Sequence, residues 1–144
     1  MPAAAAIVLS EKSGVPKFKA AVLIYGVFDV PANIERAKAT GAGMTEQVAQ
    51  GYLGASYPAS VNDPRVSPIR GLKKGSMPPS FIICGAADDL LPDSRALAEA
   101  MKQASIEHEL HVVDEMPHAF MQMGGLSDCR KGFSLISDFL ARHI

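Results

Sequence analysis

Ser80-Phe81-Ile82-Ile83-Cys84-Gly85-Ala86-Ala87-Asp88-Asp89 joins an unbroken apolar run to a glycine and a pair of carboxylates. A short apolar run without polar alternation reads as a strand covered on both faces, as in a parallel sheet. Working outward, residues 20–25, Ala-Ala-Val-Leu-Ile-Tyr, form a second such run after a Lys-rich turn. Residues 109–113 read as a third strand. Between the strands at 80–85 and 109–113 lies an amphipathic segment, 93–104, with Leu97, Met101 and Ala104 on one face and Asp93 or Ser94 to cap it. Residues 126–144 read as a closing helix with Phe133, Ile136, Phe139 and Leu140 on one stripe. Residues 2–12 start with Pro and continue in alanines, a helix pattern that Ser13-Gly14 and Pro16 should stop. That helix is apolar nearly all round and is expected to be buried, by neighbours that would lie upstream.

Residues 26–54 read as irregular except for a helix at 45–53 with Thr45 as N-cap. Residues 57–79 form a long loop rich in Pro, Ser and Asn. The alternation of helices and buried strands predicts an α/β layered fold, one domain over 1–144, with a mostly parallel sheet flanked by helices.

A net charge of −1 gives no long-range attraction to nucleic acid or anionic membranes. Lys73-Lys74 is a solvated turn rather than a basic patch. No apolar stretch reaches the roughly 18–20 residues that a membrane span requires. The N-terminal apolar segment lacks the basic leader of a secretory signal. Two cysteines, Cys84 and Cys129, make neither a disulfide framework nor a metal cluster. A reduced, cytoplasmic location is expected.

In open parallel sheets, ligands bind beyond the carboxyl ends of the strands. Asp88 stands just after the strand at 80–85 and His118 just after the strand at 109–113, with one helical crossover between them. The two side chains can therefore converge. A carboxylate on one imidazole nitrogen fixes the tautomer and leaves the other nitrogen to take a proton from a nucleophile. Spacing alone does not choose this role, since Asp at a helix entry is a common cap and a loop His is ordinarily structural. The other histidines, His108, His111 and His143, repeat no ligand spacing, and no metal or cofactor is implied.

The local sequences add a resemblance. Gly85-Ala86-Ala87-Asp88-Asp89-Leu90-Leu91-Pro92-Asp93-Ser94 resembles the acid loop of hormone-sensitive-lipase-like α/β-hydrolases. Glu115-Met116-Pro117-His118-Ala119-Phe120 resembles that branch's histidine motif. Asp63-Pro64-Arg65-Val66-Ser67-Pro68 and Ala21-Val22-Leu23-Ile24-Tyr25 with Asp29 resemble two further family segments, in order along the chain. Asp89 departs from the family, which often has Pro there. The resemblance implies the C-terminal part of an α/β-hydrolase fold, carboxylic-ester hydrolysis, Asp88 as the triad acid and His118 as the base. It implies a small-molecule ester as substrate. It also makes 27–58 an insertion near the acyl pocket, with Phe28 and Tyr52 as wall candidates, although ordinary packing is the readier account of either aromatic.

The family's Gly-x-Ser-x-Gly elbow and Gly-rich oxyanion loop do not occur in the 144 residues. Ser13, Ser56, Ser67, Ser76 and Ser127 are candidates by type, but none follows a strand into a helix. The expectation is a chain that begins just after the nucleophile, is inactive on esters alone, and exposes a sheet edge prone to self-association. Two other readings remain. One is a non-catalytic α/β module acting as an interaction protein. The other is a receiver-like domain using Asp88-Asp89 for phosphoryl or Mg²⁺ chemistry, which lacks a phosphate-cradling Gly loop.

Overall fold

The computed structural model describes residues 2–10, 12, 14, 17–41 and 43–144, without the side chains of residues 2, 5, 8 and 10. Ser13 and Pro16, expected to help end the first helix, lie outside the described residues, as does Ser13 as a candidate nucleophile. In chain order the elements are α1 (Pro2–Ser10), β1 (Ala21–Ile24), α2 (Val30–Thr40), α3 (Glu46–Leu53), β2 (Ser80–Gly85), α4 (Leu91–Gln103), β3 (His108–Val113) and α5 (Ser127–His143).

The three strands form one parallel sheet in the order β1-β2-β3. Ala21 pairs with Ser80, and Ser80 with His108, so the three strands start level. Every residue of β2 is buried, which is why its sequence shows no polar alternation. Alternate side chains go to opposite layers. Ile82 and Leu23 join Ala3, Ala6, Ile7, Leu97 and Met101, under α1 and α4. Phe81 and Ile83 join Phe120, Met121 and Phe139, under α5. The result is a helix–sheet–helix sandwich. The apolar helix α1 finds its burial within this chain, against β1 and the 3-10 turn Pro68–Gly71.

Three expectations need correction. Residues 30–40, read as irregular, form α2. Asp29 accepts from Ala32 N at 3.4 Å, Pro31 sits in the first turn where its missing N–H costs nothing, and Gly41 at φ 74° closes the helix. Its buried residues Val30, Asn33, Ile34 and Ala37 follow helical spacing. Second, α4 starts at Leu91 with no side-chain cap, so neither Asp93 nor Ser94 caps it. Third, Phe133 is exposed, because α5 buries Cys129, Gly132 and Phe139 instead. A Cβ at position 132 would sit 2.5 Å from Met121 Sδ, so the small residue sets the packed face. Thr45 does cap α3, accepting from Val48 N at 3.3 Å.

Candidate active site

Three strand ends converge on one spot. Beyond β2 the chain continues through Ala86 and Ala87 to Asp88; beyond β3 it turns through residues 114–117 to His118. The two loops are bonded to each other before any side chain is considered. Ala86 N donates to Val113 O at 2.8 Å and Ala87 N donates to Met116 O at 3.0 Å. Gly85 permits this approach: a Cβ there would lie 1.9 Å from Met116 O. The histidine loop reverses through Glu115 and Ala119, at φ 58° and 64°. Non-glycine residues in that region cost about 1–3 kcal/mol each and persist only where the surroundings over-determine them.

Asp88 turns back on its own chain. Its Oδ1 accepts from Leu90 N at 2.8 Å, and Leu91 N donates to Asp88 O at 2.9 Å. The carboxylate side chain is fully buried, whereas the His118 side chain is 53% exposed. His118 Nδ1 lies 3.0 Å from Asp88 Oδ2 and 3.2 Å from Oδ1. An ionised carboxylate only accepts, so Nδ1 carries the proton, and in the neutral ring Nε2 keeps its lone pair. The sequence pattern joined two residues 30 positions apart, and the structure brings them into contact.

Tyr25, one residue beyond β1, completes the convergence. Its ring meets the His118 ring edge-on, with centroids 4.9 Å apart and planes at 63°. Burial raises its phenol pKa above the ordinary value, against a hydrogen bond with Gln122 that lowers it. Cys84, beneath the site on β2, is pushed up to about 12, chiefly by burial and further by the Asp88 charge, while Ser94 lowers it. It is an inert thiol.

Asp93 is the residue that sequence reasoning assigned wrongly. Its buried carboxylate accepts from Phe28 N at 3.3 Å and Asn33 Nδ2 at 2.8 Å, and pairs with Arg36. It therefore clamps α2 and the loop before it onto the first turn of α4, next to Asp88. The available signal was Asn33 and Arg36 at helical spacing, but it needed α2 to be recognised. Ser67 reinforces the clamp, accepting from Val30 N at 3.0 Å and donating to Val61 O at 2.6 Å.

The other expected residues lie elsewhere. Phe28 is buried in the core with Leu23, Ile82 and Leu97. Tyr52 is 63% exposed on α3. Ser67 and Ser76 are buried and hydrogen-bonded to backbone, Ser56 is exposed, and Ser127 bonds Asp128. Asp89 is exposed, and no group of three potential metal ligands occurs among the described residues. His108 bonds Ile106 O, His111 stacks on Phe81, and His143 packs on Phe139, all away from the carboxyl ends of the strands.

A family model described as alpha/beta hydrolase fold matches residues 2–122. The chain belongs to the α/β-hydrolase fold family. Within that family, an ethyl acetate hydrolase from Pseudomonas putida is 28% identical over 130 residues, 85% of this chain and 40% of the relative. The crystal structure of an esterase from the bacterial hormone-sensitive lipase family superposes with a TM-score of 0.81 at 27% identity, over 99% of this chain and 49% of that one. An esterase/lipase from an uncultured bacterium superposes with a TM-score of 0.80 at 21% identity, over 99% of this chain and 48% of that one, and shows the shared fold alone. The chain thus spans less than half the length of these α/β-hydrolase relatives. Among the described residues, no helix is long and apolar enough to cross a membrane.

Proposed function

We propose that this chain supplies the acid and the base of a serine-type carboxylic-ester hydrolysis, with Asp88 orienting His118 and His118 moving the proton. The observation that carries this reading is the 3.0 Å contact between a fully buried carboxylate and a half-open imidazole at the carboxyl ends of adjacent strands. The serine is not among these 144 residues, which contain no Gly-x-Ser-x-Gly. In the reaction, an elbow serine oxygen adds to the ester carbonyl while His118 Nε2 takes its proton. The alcohol then leaves with that proton. A water, deprotonated by Nε2, cleaves the acyl-enzyme and restores the serine. Asp88 stays ionised and stabilises the imidazolium.

Tyr52 presents its ring to solvent, where an acyl chain could meet it; Phe28, already enclosed, would shape the pocket only from beneath. The free, buried cysteines fit a reducing, cytoplasmic setting. β1 and β3 each have one strand neighbour among the described residues, and either outer edge offers a surface for self-association.

The test is acyl transfer itself. The 144-residue chain is expected neither to turn over p-nitrophenyl esters nor to bind a fluorophosphonate. Joined to the N-terminal half of a hormone-sensitive-lipase-type esterase that carries the elbow, it is expected to gain turnover, and His118→Ala is expected to lower that by ~10⁴-fold or more. Fluorophosphonate labelling of the short chain, or full activity of the joined His118→Ala variant, would remove this reading. The missing elbow equally supports a second reading, a non-catalytic α/β module, which a joined chain without turnover would favour.

A further inference from the structure

His118 is held by Asp88 at one nitrogen while more than half of its side chain faces solvent. One hydrogen-bonded edge restrains an imidazole in distance but only weakly in rotation. A second contact, from another direction, is needed to fix the ring plane. Tyr25 supplies that contact, edge-on at a centroid distance of 4.9 Å.

Tyr25 is itself held on several sides. Its N–H donates to Ile83 O at 2.9 Å, extending the ladder between β1 and β2 by one residue. Its ring packs edge-on against Phe120 at 6.1 Å. His118 and Phe120 belong to the histidine loop and the 3-10 turn that follows it, so one tyrosine braces that loop at two points. The backbone at Tyr25 has φ 33°, where L side chains are rarely found. Gly26 stands next in sequence, yet the strained turn falls on the tyrosine. Strain kept at a residue that touches a candidate base points to a role for its side chain.

We propose that Tyr25 is a positioning residue for His118: its ring, delivered from the end of β1, holds the imidazole in the plane that keeps Nδ1 on Asp88. The ring carries this role. Tyr25 matters in this way only if the Asp88–His118 pair works as proposed above. The two ideas fail separately in one set of spectra.

The experiment is two-bond ¹H–¹⁵N NMR of the ¹⁵N-histidine-labelled 144-residue chain, under conditions where His118 is neutral, with nuclear Overhauser contacts read between the two rings. The unsubstituted chain is expected to show the Nδ1–H tautomer of His118 and ring-to-ring contacts with Tyr25. Tyr25→Phe should keep the tautomer. Tyr25→Leu should lower the ratio of Nδ1–H to Nε2–H forms by roughly two- to tenfold, the size of one aromatic pair. Absence of ring-to-ring contacts in the unsubstituted chain overturns the role of Tyr25, and so needs no variant to fold. An unchanged tautomer ratio in Tyr25→Leu also overturns it, as does a loss in Tyr25→Phe equal to that in Tyr25→Leu. Asp88→Asn should abolish the Nδ1–H preference. If it does not, the pair itself is not as proposed and the function fails first.

Discussion

The Met116 carbonyl oxygen occupies the space that a side chain at Gly85 would need, 1.9 Å from where a Cβ would be built. Met116 lies two residues before His118, and Gly85 three before Asp88. The distance between the candidate acid and base is therefore set by a backbone contact beneath them. Gly85→Ala forces the histidine loop outward. The expected cost is about 1–3 kcal/mol in urea unfolding, typical of inserting an atom into a packed site, together with loss of the Nδ1–H tautomer of His118 by NMR. A variant of unchanged stability with an intact tautomer would show that the loop gives way freely.

Asp93 accepts from three donors in the segment around α2: Phe28 N, Asn33 Nδ2 and the Arg36 guanidinium. Asn33 is fully buried and Arg36 is 23% exposed at its side chain. Breaking a buried pair costs about 3–5 kcal/mol. Because Arg36 retains some water, Asp93→Ala is expected at the lower end of that range. Hydrogen exchange should quicken first in α2. A loss below about 1 kcal/mol, the scale of an exposed ion pair, would contradict the clamp.

Cys84 and Cys129 should resist thiol reagents in the native state. Cys84 has its thiol pushed up to about 12, chiefly by burial, and Cys129 is 1% exposed and donates to Met121 O at 3.2 Å. At pH 8, Ellman's reagent should find no fast thiol, and both cysteines should react in denaturant. Rapid reaction of Cys84 in the folded chain would mean that β2 is not enclosed.

Glu109 ties β3 to α5. Its carboxyl is held below the ordinary value by the His111 ring first, and also by Arg142 at 2.5 Å. A depressed folded value means the stabilisation is present above the ordinary glutamate pKa, 4.5, and is lost as pH falls through the lower folded value. The Glu109 side chain is 39% exposed, so screening keeps the effect under about 1 kcal/mol. Glu109→Gln should lower the melting temperature slightly at pH 7, and the gap should close in acid. A gap that widened as pH fell would reverse the sign.

The sheet was legible because β2 is covered on both faces and its sequence has no room for polar alternation. Asp88 and His118 were legible because each follows a strand and their flanking residues resemble family motifs. Helix α2 was not, because Pro31 reads as a breaker unless one sees that Asp29 caps the turn before it. Asp93 was misassigned for a related reason: an acid in the first turn of a helix looks like a cap, and its true partners lie on a helix that had not been recognised. Phe133 fell on the apolar stripe of α5, but Gly132 lets Met121 pack closely and rotates the buried face away from it. Tyr25 went unnoticed as a contact of His118 because an aromatic at a strand end has the same local pattern whether it packs or positions.

The strand, helix and strand between Ser80 and Val113 carry both halves of the acid–base pair at their ends, and the two loops bond directly to each other. The acid and the base thus lie close together in the chain, joined by contacts of their own loops, with the Tyr25 ring reaching His118 from the end of β1. A break in the polypeptide before β1 would leave the pair and Tyr25 on one piece, which is what split-enzyme complementation requires of such a half.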